Sequence, residues 1–149
     1  MSLAENTAPA YGTTYAYELA TRTDDMIFLA GQIAKISATE IHAAGRCGDT
    51  IDVETAKDSA RLAAHQGIAW LGKHLGPGER IEKILRVDVF VAVTPEFDHI
   101  SEVADAASEI FIEAYGDAGR HARSVLGVTR LPRNAPVLLE ITVKYAPTR

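Results

Sequence analysis

"VLLEITVKY", residues 137–145, is the stretch on which the fold turns. Val137, Leu139, Ile141, Val143 and Tyr145 alternate with Leu138, Glu140, Thr142 and Lys144, so an extended chain would put all five of the first set on one side. That predicts a strand with one face against a core. Upstream, "ILRVDVFVAV" at 84–93 repeats the pattern with β-branched residues at 87, 89, 91 and 93. "SVLGV" at 124–128 reads as a third, shorter strand, headed by Arg123 and followed by the breaker Leu131-Pro132. An arginine at the mouth of a strand raises the question of what it holds.

Between these strands the period changes from two to between three and four. Asp52 can cap free backbone N–H groups, and apolar residues then recur at 53, 56, 60, 63, 64, 68, 71 and 75 until "GPG" at 76–78 ends the helix. A second helix is expected from Thr94-Pro95-Glu96, with the threonine as cap and proline in the first turn. Phe97, Ile100, Val103, Ala107, Ile110 and Ala114 would carry its apolar stripe as far as Gly116. Before the first helix, "TYAYELA" at 14–20 and "MIFLAGQI" at 26–33 predict a hairpin around Thr23-Asp24-Asp25. Residues 34–51 read as a loop with one short strand, and residues 1–12 as an irregular lead.

The order β-β-(short β)-α-β-α-β-β predicts an α+β two-layer sandwich, a mixed sheet with two helices on one face. A chain of 149 residues suits one domain. Leu138, Thr142, Phe90 and Ala92 would leave an apolar surface on the other face, which predicts association of copies through it.

Composition narrows the function. A net charge of −5 with scattered basic residues argues against nucleic acid, which demands clustered Lys and Arg. One cysteine, Cys47, forms no internal disulfide and suits a reducing cytoplasm. It has no evident histidine partner to make it a nucleophile. The absence of a long apolar run and of a signal-like start predicts neither a membrane span nor export. His42, His65, His74, His99 and His121 lack metal-ligand spacing, and no phosphate-loop or nucleophile-elbow pattern occurs. His121, two residues before Arg123, would share its side of the strand.

The phrases "FLAGQI", "RVDVFVAV" and "HARSVLGVTRLP", in this order and followed by a strand carrying glutamate, resemble the RidA/YjgF family. That family is also labelled endoribonuclease L-PSP or translation-inhibitor-like. The resemblance spans residues 16–145, and "GDAGRHARSVLGV" is similar to a subgroup apart from the main deaminase branch. It implies a chorismate-mutase-like fold, a homotrimer with small-molecule clefts between subunits, and no metal or organic cofactor. The implied activity is hydrolysis of enamine or imine intermediates of the 2-aminoacrylate and 2-iminobutanoate type to 2-oxo acids and ammonia.

Carried over by position, Arg123 is the implied carboxylate-binding residue, Tyr17 a cleft tyrosine, and Gly31 the glycine whose backbone approaches the ligand. Four positions of this cleft depart from the family pattern. Ala30 replaces a serine, Asp105 an asparagine, Val125 a cysteine, and Leu138 the glutamate that positions the attacking water. Leucine cannot orient a water, so Asp105 or Glu140 is expected to take the acid–base task; Glu140 lies about 7 Å further along the strand. Two rival readings stand beside hydrolysis. One is a non-catalytic sensor or partner-binding trimer; the other is a ribonuclease, against which the acidic charge weighs.

Overall fold

The computed structural model describes residues 15–148. Strands β1 (Ala20–Thr23), β2 (Met26–Gln32), β3 (Glu79–Ala92), β4 (Ala122–Val128) and β5 (Val137–Pro147) form one mixed sheet in the order β1-β2-β5-β3-β4. Helices α1 (Val53–Lys73) and α2 (Ile100–Tyr115) cover one face of it. The β3–β4 pair is parallel because α2 lies between them as a crossover, and every other pair is antiparallel.

The "VLLEITVKY" strand sits at the centre, between β2 and β3, with one face against the core as its alternation requires. Val137, Leu139, Ile141 and Val143 are at most 1% exposed and meet α1, while Leu138, Glu140 and Thr142 face away. Val87, Val89 and Val91 of β3 are wholly buried in the same layer. Burial of each such side chain stabilises the fold by about 1.5–3 kcal/mol against its exposed state. The first helix starts where its cap residue stands: Asp52 Oδ1 accepts from Thr55 N–H at 2.7 Å. It lies close on the sheet because Gly67 has no side chain; a Cβ there would come within 2.5 Å of Ile141 Cδ1.

Several expectations are corrected. The first strand is Ala20–Thr23, not 14–20; the turn at Asp24-Asp25 is as expected, but Tyr15 to Leu19 lie outside the sheet. Helix α2 begins at Ile100 rather than beside Thr94. Thr94 is committed elsewhere: its N–H donates to Cys47 O at 3.0 Å and its carbonyl accepts from Phe97 N–H in a tight turn. The short strand within 34–51 is reduced to isolated bridges, Lys35 with Ile41 and Cys47 with Ile51 and Val93. Ala92, assigned to the open face, is fully buried where Cys47 and Pro136 close over the end of β3. The irregular lead at 1–12 falls outside the described residues.

The open face of the sheet is also more polar than expected. Phe28 and Leu126 are 42% and 48% exposed there, with Phe90 and Leu138 beside them. Among them runs a polar network in which Arg86 bonds Asp88 and Ser124, and Asp88 accepts from the Ser124 N–H. No helix among the described residues is long and apolar enough to cross a membrane.

Candidate functional site

Arg123 pairs with Val87 in the parallel ladder, and that register fixes its side. Val87 points into the helix layer, so Arg123 does too, at the exposed edge of the sheet against α2. Its Nη1 donates to Asp105 Oδ1 at 2.8 Å and to Ser108 Oγ at 3.1 Å. Asp105 and Ser108 are three residues apart on α2 and therefore share a face. Among the described residues Arg123 Nε and Nη2 have no hydrogen-bond partner, which leaves two donors of the guanidinium fork open.

Behind Ser108 stands His121. Its Nδ1 lies 2.7 Å from Gly119 O and its Nε2 2.9 Å from Ser108 Oγ. A carbonyl only accepts, so Nδ1 carries the proton, and in the neutral ring Nε2 accepts from the serine hydroxyl. Burial holds the imidazole below its ordinary value; the Gly119 bond opposes this, and the positive charges of Arg123 and Lys83 reinforce it. His121 is therefore neutral at pH 7. Ser108, Ile112, Arg120, His121 and Arg123 line a shallow pocket of about 200 Å³.

A second and larger cavity, about 520 Å³, opens at the other end of the sheet. Tyr17, Ala30, Gly31 and Leu138 all line it, with Tyr15, Lys35, Gln66, Trp70 and Arg133. Tyr15 and Tyr17 stack with ring centroids 4.8 Å apart, and Lys35 Nζ donates to the Tyr15 hydroxyl at 3.0 Å. The buried Gln66 side chain fixes the Lys35 backbone by bonding both its N–H and its carbonyl. Ala30 and Gly31 fall in a β-bulge, since Leu29 pairs with Ile141 but Gln32 with Leu139. Leu138 packs directly on that bulge: a Cβ on Gly31 would meet its side-chain carbons at 3.0–3.3 Å. The rim at Arg133-Asn134 is held in the left-handed region, φ 57° and 60°, by bonds to Thr39 O and Gly45 N–H.

Within one copy the site residues expected from sequence thus form two groups. Tyr17, Ala30, Gly31 and Leu138 converge; Arg123 and Asp105 converge elsewhere. Three strand spacings, about 14 Å, separate β2 from β4. The faces differ as well, because Leu138 pairs with Phe90 on the open side while Arg123 follows Val87 on the helix side. Val125 joins neither cavity and packs against the core edge. Glu140 is exposed on the open face, opposite Asp88.

Ser108, Lys35, Gln66 and Arg133 were not anticipated as site residues. For Ser108 a signal existed, three residues beyond Asp105 on one helix face. Cys47 is fully buried, and burial pushes its thiol up to about 11, away from nucleophilic use. Among the described residues no three His, Cys, Asp or Glu side chains gather as a metal site.

The comparisons with known proteins fit this architecture. Residues 3–144 match the family described as "YjgF/chorismate mutase-like, putative endoribonuclease". Protein TCP17 of Trypanosoma cruzi is 33% identical over 101 residues, 67% of this chain; the chain spans 63% of that relative's length. The crystal structure of Atu1372 from Agrobacterium tumefaciens, a protein of unknown function, superposes with a TM-score of 0.87 at 29% identity, covering 97% of this chain and 90% of that one. Escherichia coli TdcF, crystallised with bound serine, gives a TM-score of 0.63 at 25% identity, covering 91% of this chain and 92% of that one. A mixed five-stranded sheet under two helices and a family match over nearly the whole sequence agree: the chain belongs to the YjgF/chorismate mutase-like family.

Proposed function

We propose that the protein binds a small carboxylate metabolite, a 2-oxo or 2-imino acid, and hydrolyses the imine to the 2-oxo acid and ammonia. The observation that carries this reading is the Arg123 guanidinium at the edge of β4, anchored through Nη1 and open at Nε and Nη2. A planar fork with two free donors suits one carboxylate. The serine bound to TdcF is a small amino acid with such a group, which supports the ligand class.

The cleft forms between copies of the chain in a homotrimer. Supporting this is the split of the site residues within one copy: an arginine stands on one sheet edge and a Tyr17–Gly31–Leu138 cavity near the other, so a second copy would be needed to bring them together. Exposed Phe28 and Leu126 on the open sheet face supply apolar area for that contact. The single cysteine fits a reducing compartment, the cytoplasm.

A second reading has its own observation. Leu138 closes over Gly31 where the family's water-positioning glutamate is expected, which favours a carboxylate sensor without turnover. One experiment separates the two: ammonia release from freshly generated 2-iminobutanoate, run beside calorimetric titration with 2-oxobutanoate. Binding with ammonia release supports the hydrolase; binding alone supports the sensor. Absence of both removes the carboxylate reading.

A further inference from the structure

The geometry points to Ser108 and His121 as the proton-transfer pair of the Arg123 site, doing the work that Leu138 cannot. The inference rests on the reading of Arg123 as the carboxylate anchor. Three observations carry it. First, the pair is one hydrogen bond from the guanidinium, because Ser108 Oγ accepts from Arg123 Nη1 at 3.1 Å. Second, the imidazole has a fixed tautomer: Gly119 O holds the Nδ1 proton and Nε2 faces the serine at 2.9 Å. This is the order of nucleophile-side hydroxyl, base and orienting acceptor that proton-transfer sites require.

Third, the hydrogen-bond inventory of Ser108 leaves one place open. A hydroxyl has one proton and two lone pairs. The proton goes to His121 and one lone pair to Arg123, so a single lone pair remains to accept from a water in the adjoining pocket. Glu140 offers nothing comparable, since it stands on the other face of the sheet from Arg123.

The charges acting on His121 are Arg123 of β4 and Lys83 of β3, with Arg120 lining the same pocket; from α2 it meets the Ser108 hydroxyl and, nearly perpendicular to it, the Phe111 ring, both uncharged. These surroundings keep the ring neutral and able to accept a proton at pH 7.

The chemistry balances without a further reactant. With the carboxylate of a 2-iminium acid on Arg123, a water oxygen bonds to C2 while the C=N π pair moves to nitrogen. The proton lost by water passes to Ser108 Oγ as the serine's own proton passes to His121 Nε2. That leaves a carbinolamine and an imidazolium. The imidazolium returns its proton through Ser108 to the amino nitrogen. The C–N bond then breaks with its electron pair on nitrogen, the hydroxyl oxygen closes the C=O bond, and the hydroxyl proton leaves with ammonia as ammonium. Iminium and water become 2-oxo acid and ammonium. Ser108 is the catalytic residue, and His121 acts through it.

The test compares the protein with Ser108→Ala and His121→Gln; the first lies on α2 and the second just before β4, so misfolding of one leaves the other usable. Ammonia release from 2-iminobutanoate is expected to fall by about 100-fold or more in each, with 2-oxobutanoate affinity kept within about threefold. The wild-type rate should also decline in acid, on the acid side of the ordinary imidazole value, as the imidazole protonates, and His121→Gln should lack that limb. Variants that release ammonia at the wild-type rate overturn the pair and leave the deaminase reading standing. Variants that lose 2-oxobutanoate binding in step with turnover also overturn it, by showing a support role for Arg123. A wild type that binds 2-oxobutanoate but releases no ammonia removes the deaminase reading, and the pair with it.

Discussion

Arg123 Nη1 and Asp105 Oδ1 lie 2.8 Å apart, so the guanidinium at the sheet edge already holds a carboxylate from its own chain. The pair is unequal: the arginine side chain is 23% exposed and the aspartate 59%. Asp105 therefore steers the fork from the solvent side without filling it. It also places a negative charge beside the open donors, and an incoming anion has to bind next to it.

Replacing Arg123 by lysine keeps the charge and removes the fork. Affinity for 2-oxobutanoate, read by calorimetry, should fall by roughly 10- to 100-fold, the range of a lost charged hydrogen bond or two. Thermal stability and sedimentation should stay near wild type, because an ion pair this exposed contributes little to folding. Loss of the oligomer with binding intact would make Arg123 an assembly residue instead.

Asp105→Asn tests the neighbour. The amide oxygen can still accept from Nη1, while the competing charge is gone, so 2-oxobutanoate should bind more tightly by a few-fold, on the order of threefold. Its affinity should also fall more steeply with added salt. Unchanged affinity would mean that solvent already screens the carboxylate.

Gly119 is held for space rather than for conformation. A Cβ there would fall 2.1 Å from the Phe111 carbonyl oxygen and 2.9 Å from Ile112 N, both backbone atoms that cannot swing aside. Gly119→Ala should therefore destabilise the protein by about 1–3 kcal/mol, seen as a lower Tm, and shift the carbonyl that orients His121. A wild-type Tm would show that the turn after α2 yields easily.

Acid should weaken the fold through two carboxylates. Backbone and side-chain hydrogen bonds from Thr55 hold the Asp52 carboxyl below its usual range, and the bond from Arg22 followed by that from Gly76 N–H does the same for Glu79. Depressed groups stabilise the fold fully above their unfolded values and lose that effect as pH falls through the folded ones. The Tm should thus be flat at neutral pH and drop below about pH 4, near the free carboxylate values. The drop should shrink in Asp52→Asn and in Glu79→Gln.

The sheet centre and the first helix were legible because their signals are long and unopposed. Nine residues at 137–145 that alternate, apart from Leu138, between apolar and polar admit one buried face, and Asp52 before a stripe of alanines admits one helix start. The start of α2 misled because Thr94-Pro95-Glu96 has good capping chemistry, yet the chain uses Thr94 to bond Cys47, a contact 47 residues away that no local pattern reveals. Tyr15 and Tyr17 alternate like a strand but lie outside the strands of the sheet, and alternation alone does not place a residue in one.

For the candidate site, resemblance pointed to Tyr17, Gly31, Leu138 and Arg123, while register decides the sides that Leu138 and Arg123 take. That Arg123 and Leu138 face opposite ways follows from pairing with Val87 and Phe90, which sequence does not print. What Ser108 bonds to was hidden for a similar reason, although its place on the Asp105 face of the helix was legible. Its partners are 13 and 15 residues away, across the turn that Gly119 allows.

The most direct test is a crystal structure of the protein with 2-oxobutanoate bound. The carboxylate is expected on Arg123 Nε and Nη2 of one copy, with Tyr17, Gly31 and Leu138 of a second copy closing the other side of the ligand. A ligand seated in the Tyr17–Leu138 cavity with no Arg123 within reach would contradict that placement.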